Sequence, residues 1–139
     1  MKETKQNYTY WLRRVEQNFL YLSKVPEELI TSELCELAVN RDGRALAYVP
    51  EELKTASLCE AAIHYYCGET LKFVPDKLKT AALCKIAVNK DGWALEFVPA
   101  DLKTLEVCEL AVKQDVSALR FVPAKLKTEV KKVLEDKNE

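Results

Sequence analysis

The sequence predicts an all-α fold: a right-handed solenoid of units about 24 residues long, each holding one main α-helix and a short α- or 3₁₀-helix. Three observations predict it. Val-Pro recurs at Val25-Pro26, Val49-Pro50, Val74-Pro75, Val98-Pro99 and Val122-Pro123, in steps of 24, 25, 24 and 24 residues. All three glycines, Gly43, Gly68 and Gly92, share a second position of this unit, which Val116 takes in the fourth copy. Four of the five cysteines, Cys35, Cys59, Cys84 and Cys108, share a third. Self-similarity at a fixed short period marks an array of stacked supersecondary units, because one such unit cannot bury its apolar face alone. The chain is expected to be one repeat domain over 1–139: a capping helix at 1–24, four full repeats at 25–122, and a partial repeat with a charged cap at 123–139.

Taken in order, the segment 1–24 is an irregular start. Aligned back by one period, Trp11 falls where Cys35 sits, Arg14 where the repeats have Ala, and Val15 where Val39 sits. The spacing of Leu12, Val15, Phe19, Leu20 and Leu22 predicts an amphipathic helix of roughly 12–16 residues. In each repeat the main helix begins after Thr31, Thr55, Thr80 or Thr104, whose hydroxyl can accept from an orphan N–H of the first turn. An apolar stripe follows, Leu34-Cys35-Ala38-Val39, and recurs as Leu58-Cys59-Ala62-Ile63, Leu83-Cys84-Ala87-Val88 and Val107-Cys108-Ala111-Val112. A further apolar position, Leu37, Ala61, Ile86 and Leu110, is expected to pack against the adjacent copy.

The glycine is expected to end the helix by adopting left-handed geometry. Gly-x-Ala-Leu-x-aromatic-Val-Pro then predicts a short α- or 3₁₀-helix, with a strand as the alternative. Proline disfavours helical geometry for the valine before it. Pro-x-x-Leu-Lys-Thr makes one more tight turn, with Leu29, Leu53, Leu78, Leu102 and Leu126 expected to point into the core. After Thr128 the pattern fails: Lys131 and Lys132 stand at core positions, and Val130, Val133 and Leu134 carry the apolar face. A charged helix is expected to close the array, which then has a cap at each end, with 135–139 frayed.

The unit V-P-x-x-L-K-T-x-x-x-C-x-x-A-V-x-x-x-G-x-A-L-x-[FY], over roughly 25–128, resembles the short helical repeats of a bacterial domain family of unknown function. Those repeats occur in tandem, including in effector-like proteins of host-associated bacteria. In length and helix content the unit is also similar to leucine-rich repeat variants that alternate α- and 3₁₀-helices; the cysteine cluster that binds iron–sulfur in some of those is missing here. The resemblance implies a helical scaffold and supplies no catalytic residue.

Composition agrees with a folded chain that is neither strongly basic nor acidic. Hydrophobic residues make up 48%, and 21 basic residues face 22 acidic ones for a net charge of −1. Nothing global points to nucleic acid or to a membrane surface. No apolar run approaches spanning length, and MKETKQNYTYWLRR contains no secretory h-region. The expected location is the cytoplasm, unless a signal-free route exports the chain. Helices pack about 8–10 Å apart, whereas a disulfide needs Cα atoms within about 7 Å. Neighbouring ladder cysteines are therefore expected to stay reduced, as small buried hydrophobes.

Candidate chemistry is sparse. His64 is the single histidine, and one histidine without a matching cluster makes neither a zinc site nor a triad. Cys67 lies off the ladder in the one 25-residue copy, where an extra residue predicts a loop. There is no glycine-rich phosphate loop and no Cys-x-x-C pair, so no enzyme activity, metal or cofactor is expected. The expected function is a non-catalytic scaffold for protein–protein interaction. Its candidate contact residues follow the main helices: Arg41, Arg44, Tyr65, Tyr66, Lys90, Trp93 and Gln114. Trp93 stands out because the same position holds Arg44, Glu69 and Ser117 in other copies, so it should face solvent. Lys54, Lys79, Lys103 and Lys127 form a ladder before the threonines. They could serve as a basic strip for an anionic partner such as RNA. Nearby Glu51, Glu52, Asp76 and Asp101 favour a solvated face with local pairing instead.

Overall fold

The structure, a computed structural model, describes residues 2–136, with side chains from 7 onward. It is all-α, and no strand occurs among the described residues. The long helices are α1 (Lys2–Gln17), α2 (Ser32–Arg41), α3 (Ala56–Tyr65), α4 (Ala81–Lys90), α5 (Leu105–Gln114) and α6 (Ala124–Asp136). Six-residue 3₁₀ helices follow the first five: Phe19–Lys24, Gly43–Tyr48, Gly68–Phe73, Gly92–Phe97 and Val116–Phe121. Single 3₁₀ turns lie at Glu27–Leu29, Glu51–Leu53, Asp76–Leu78 and Ala100–Leu102. The strand alternative for the glycine segment is therefore excluded there. No described helix is long and apolar enough to cross a membrane.

Side chains fix where each element starts. Thr31, Thr55, Thr80 and Thr104 accept from the backbone N–H three residues on, at 3.2–3.3 Å. The 3₁₀ helices have a cap that sequence reading did not single out. Asp42, Asp91 and Asp115 accept from the N–H two residues on at 2.9–3.0 Å, while their own N–H groups bond back to Ala38, Ala87 and Ala111. One aspartate thus closes an α-helix and opens a 3₁₀ helix. Asn18 caps Phe19–Lys24 in the same way, at 2.9 Å. The segment 1–24 is accordingly not a single capping helix: α1 stops at Gln17, and Phe19, Leu20 and Leu22 belong to a 3₁₀ helix.

The second copy explains its extra residue. Tyr66 there closes α3, its N–H bonding Ala62, and Cys67 occupies the N-cap of Gly68–Phe73 without a side-chain hydrogen bond. Two residues share what one aspartate does elsewhere, so the insertion is a divided cap rather than a protruding loop. The contacts gather into two compact units, Met1–Tyr66 and Cys67–Glu139, which meet at this point in the chain.

Within the first unit α1 packs on α2 and α2 on α3, with the 3₁₀ helices Phe19–Lys24 and Gly43–Tyr48 against them. Within the second, α4 packs on α5 and α5 on α6, while Gly92–Phe97 lies between Gly68–Phe73 and Val116–Phe121. The core of each unit is the layer between its long and its 3₁₀ helices. All four Leu/Val-Cys-Ala-Val/Ile stripes are buried, joined by Leu46, Leu71, Leu95 and the Val-Pro valines. The four ladder cysteines are free and buried. Burial pushes the thiols of Cys35 and Cys59 up to about 11, so they behave as small apolar groups. Leu29, Leu53, Leu78, Leu102 and Leu126 are only half-buried, short of the core position expected for them. Leu37, Ala61 and Leu110 are half-buried too, but Ile86 is exposed.

Glycine serves close packing rather than left-handed geometry. No described glycine has positive φ. A Cβ on Gly43, Gly68 or Gly92 would instead lie less than 3.0 Å from the carbonyl oxygen of Ala62, Ala87 or Ala111, on the next long helix. The absence of a side chain lets that helix approach. Val116, at the same position, is 59% exposed, and α6 does not repeat the stripe that would oppose it.

The C-terminal segment departs in a second way. The turn and helix that Pro-x-x-Leu-Lys-Thr separates elsewhere are fused, so Leu126 and Thr128 lie inside α6. Val130 is buried while Lys131 and Lys132 are exposed. Glu135 and Asp136, expected to fray, are helical; 137–139 lie outside the described residues. One core position carries a cost: Thr70 stands where other copies have Ala45, Ala94 and Ala118, and its buried hydroxyl has no hydrogen-bond partner.

Candidate functional site

In a 3₁₀ helix, residues i and i+3 eclipse on one face. In this chain that face carries two outward positions per helix: Arg44 and Ala47, Glu69 and Lys72, Trp93 and Glu96, Ser117 and Arg120. All eight are exposed. The three 3₁₀ helices of the second unit therefore present Glu69, Trp93 and Ser117 in one row and Lys72, Glu96 and Arg120 in the next.

Trp93 is the centre of this face. It is 38% exposed, and its ring meets Phe121 edge-on with centroids 5.3 Å apart. The Arg120 guanidinium lies over the indole, 5.2 Å from its centroid. The indole N–H donates to Ser117 Oγ at 2.6 Å, and that hydroxyl donates to Asp115 at 2.6 Å. The hydrogen bond from the Ser117 side chain, aided by its backbone N–H, holds the Asp115 carboxyl below the usual carboxylate range. The indole is held in place by the neighbouring 3₁₀ helix and still shows a large apolar surface. A pocket of about 220 Å³ opens beside it, lined by Glu69, Asp91, Trp93, Glu96 and Phe97. Glu69 pairs with Lys72 at 2.5 Å, and Asp91 Oδ1 accepts from the Trp93 backbone at 3.0 Å.

The other expected contact residues divide. Gln114 is a clamp: its Nε2 donates to the Lys90 carbonyl at 3.2 Å and its Oε1 accepts from the Gly92 N–H at 2.6 Å. It therefore joins the end of α5 to the end of α4. Lys90 contributes its backbone to that clamp, and its side chain is exposed. Tyr66 has the equivalent duty in the first unit. Its hydroxyl donates to the Arg41 carbonyl, and its ring lies against Gly43. Both side chains satisfy a carbonyl that the preceding helix leaves orphaned. Tyr66 and Gln114 thus each hold the end of the helix before their own. Arg41 is exposed. Arg44 pairs with Asp42 at 2.6 Å and lies over the Phe19 ring, 5.4 Å from its centroid. The hydrogen bond from the Arg44 side chain holds the Asp42 carboxyl below its ordinary range. Tyr65 is 69% exposed and meets His64 edge-on at the end of α3. Cys67 is exposed.

The lysine ladder is not a solvated strip. The Lys54 and Lys79 side chains are only 7% and 9% exposed. They pair with Glu51 at 2.8 Å and Asp76 at 3.0 Å. Lys79 also donates to the Phe97 carbonyl at 2.8 Å, and Lys103 to that of Phe121 at 3.3 Å. Those carbonyls end the 3₁₀ helices, where a cation is favoured. Lys127 differs again, half-buried on α6. No group of three His, Cys, Asp or Glu side chains among the described residues could hold a metal ion.

Residues 82–127 match the family model of a domain of unknown function (DUF4116). The match covers less than half of the chain and runs from α4 to the first turn of α6. No curated protein and no solved structure matches the chain.

Sequence reading missed Glu69, Asp91, Glu96 and Phe97 as neighbours of Trp93. A signal existed: Ala47, Lys72, Glu96 and Arg120 share a repeat position that varies as freely as that of Trp93. Three-residue spacing on a 3₁₀ helix puts the two variable positions on one face.

Proposed function

We propose that this chain is a non-catalytic scaffold of tandem short helical repeats that binds another protein through the 3₁₀-helix face of its second unit, centred on Trp93. The observation that carries the reading is Trp93 itself, a 38% exposed indole at a position that other copies fill with Arg, Glu and Ser. Tryptophans held rigid at a partly exposed site are enriched among residues that dominate binding energy. The side chains around it differ between copies while the capping and stacking residues recur, the division expected of a repeat scaffold whose variable positions select a partner. The proposed setting is the cytoplasm, where buried thiols stay reduced.

The test is a pull-down with the full chain as bait, comparing the native sequence with Trp93→Ser, which installs the residue of the fourth copy. Loss of a specifically captured protein, with helix content unchanged, is the expected result. Equal capture by both baits refutes the assignment of this face.

A further inference from the structure

We propose that the pocket beside Trp93 receives an arginine side chain from a basic segment of the partner. This rests on the protein-binding reading above and names the chemistry of its central contact. The pocket's volume of about 220 Å³ suits one side chain rather than a folded element. Its lining combines two aromatic residues, Trp93 and Phe97, with three acidic ones, Glu69, Asp91 and Glu96. An aromatic face and carboxylates together attract an organic cation, the ring through its quadrupole and the acids through charge.

Arginine is favoured over lysine by planarity. A guanidinium can stack on an indole while forking two N–H groups onto one carboxylate, and an ammonium cannot. The chain's own Arg120 already places a guanidinium over this indole, 5.2 Å from the Trp93 centroid. Two of the acids are partly committed, Glu69 to Lys72 at 2.5 Å and Asp91 to the Trp93 N–H at 3.0 Å. Glu96 is the carboxylate left to pair with an incoming cation. The chain's net charge is only −1, so attraction for a basic peptide has to come from this local arrangement rather than from a global field.

The experiment titrates the isotope-labelled full chain with hexa-arginine, hexa-lysine and hexa-glutamate peptides, following backbone and indole N–H resonances. Hexa-arginine is expected to shift the Trp93 indole N–H and the amides of Glu69, Glu96 and Phe97. Glu96→Gln should weaken that binding about tenfold, with the spectrum otherwise retained, and hexa-glutamate should not bind. The proposal is overturned if these resonances stay still, if the shifts spread equally to Glu27, Glu28, Glu51 and Glu52, or if Glu96→Gln changes nothing. Equal binding of hexa-lysine overturns the choice of arginine. The two readings separate in the pull-down: a partner lost with Trp93→Ser but kept at full strength by Glu96→Gln leaves the protein-binding face standing and removes the arginine pocket.

Discussion

Gly92→Ala is expected to destabilise the chain by about 2–3 kcal/mol, the cost of forcing atoms into a filled interface. The added methyl meets the Ala111 carbonyl oxygen and lies 3.1 Å from the Gln114 Oε1 that accepts from Gly92. The carbonyl belongs to helix backbone and cannot rotate away. Relief requires α5 to move off Gly92–Phe97, which also strains the Gln114 clamp. Val116→Ala is the internal control, because Val116 holds the same repeat position with its side chain exposed. Its expected effect is within about 0.5 kcal/mol. Urea denaturation at constant slope measures both. Equal costs at the two sites would show that glycine is not there to admit the next helix.

Tyr66→Ala is expected to cost about 2–3 kcal/mol, somewhat less than truncation of a fully buried aromatic because Tyr66 is half-buried. Two losses add. The ring no longer fills the space beside Gly43, and the Arg41 carbonyl at the end of α2 loses its donor. Tyr66→Phe keeps the ring and removes only the donor, so about 1 kcal/mol is expected. Tyr65→Ala, one residue away and 69% exposed, should change stability by less than about 0.5 kcal/mol. Indistinguishable midpoints for Tyr66→Phe and the native chain would remove the capping role. A large loss for Tyr65→Ala would reverse the assignment of the two tyrosines.

These two neighbours show where sequence reading stops. Adjacent tyrosines at a helix end look alike in one dimension. Only the backbone after α3, with its divided cap at Tyr66 and Cys67, sends one ring inward and leaves the other exposed. What depends on local chemistry was legible: the threonine caps, the buried Leu-Cys-Ala-Val stripes, the short helix after each glycine and the extended valine before each proline. What depends on the approach of two elements was not. The sequence points to left-handed geometry for the glycines, which instead admit a carbonyl. Lys79 and Lys103 read in sequence as part of a surface strip; in the fold they cap carbonyls 18 residues away. Trp93 is visible as an oddity between copies, but its pocket also needs Glu69, which the packing of Gly68–Phe73 on Gly92–Phe97 brings; the 3₁₀ helix aligns Trp93 with Glu96. An α-helix would also bring them near; a strand would have placed them on opposite faces.

The proposed function implies a division of labour: capping and stacking residues hold the fold, and the outward pairs of the 3₁₀ helices are left for a partner. A protease-protection scan of every single substitution in the full chain tests it most directly. Glu69, Lys72, Trp93, Glu96, Ser117 and Arg120 are expected to accept most residues with little loss of protection, Trp93 and Ser117 losing the most because they share a hydrogen bond. Gly92, Asp91, Gln114 and Leu95 should accept few. A scan in which Glu96 and Lys72 are as intolerant as Leu95 would contradict it.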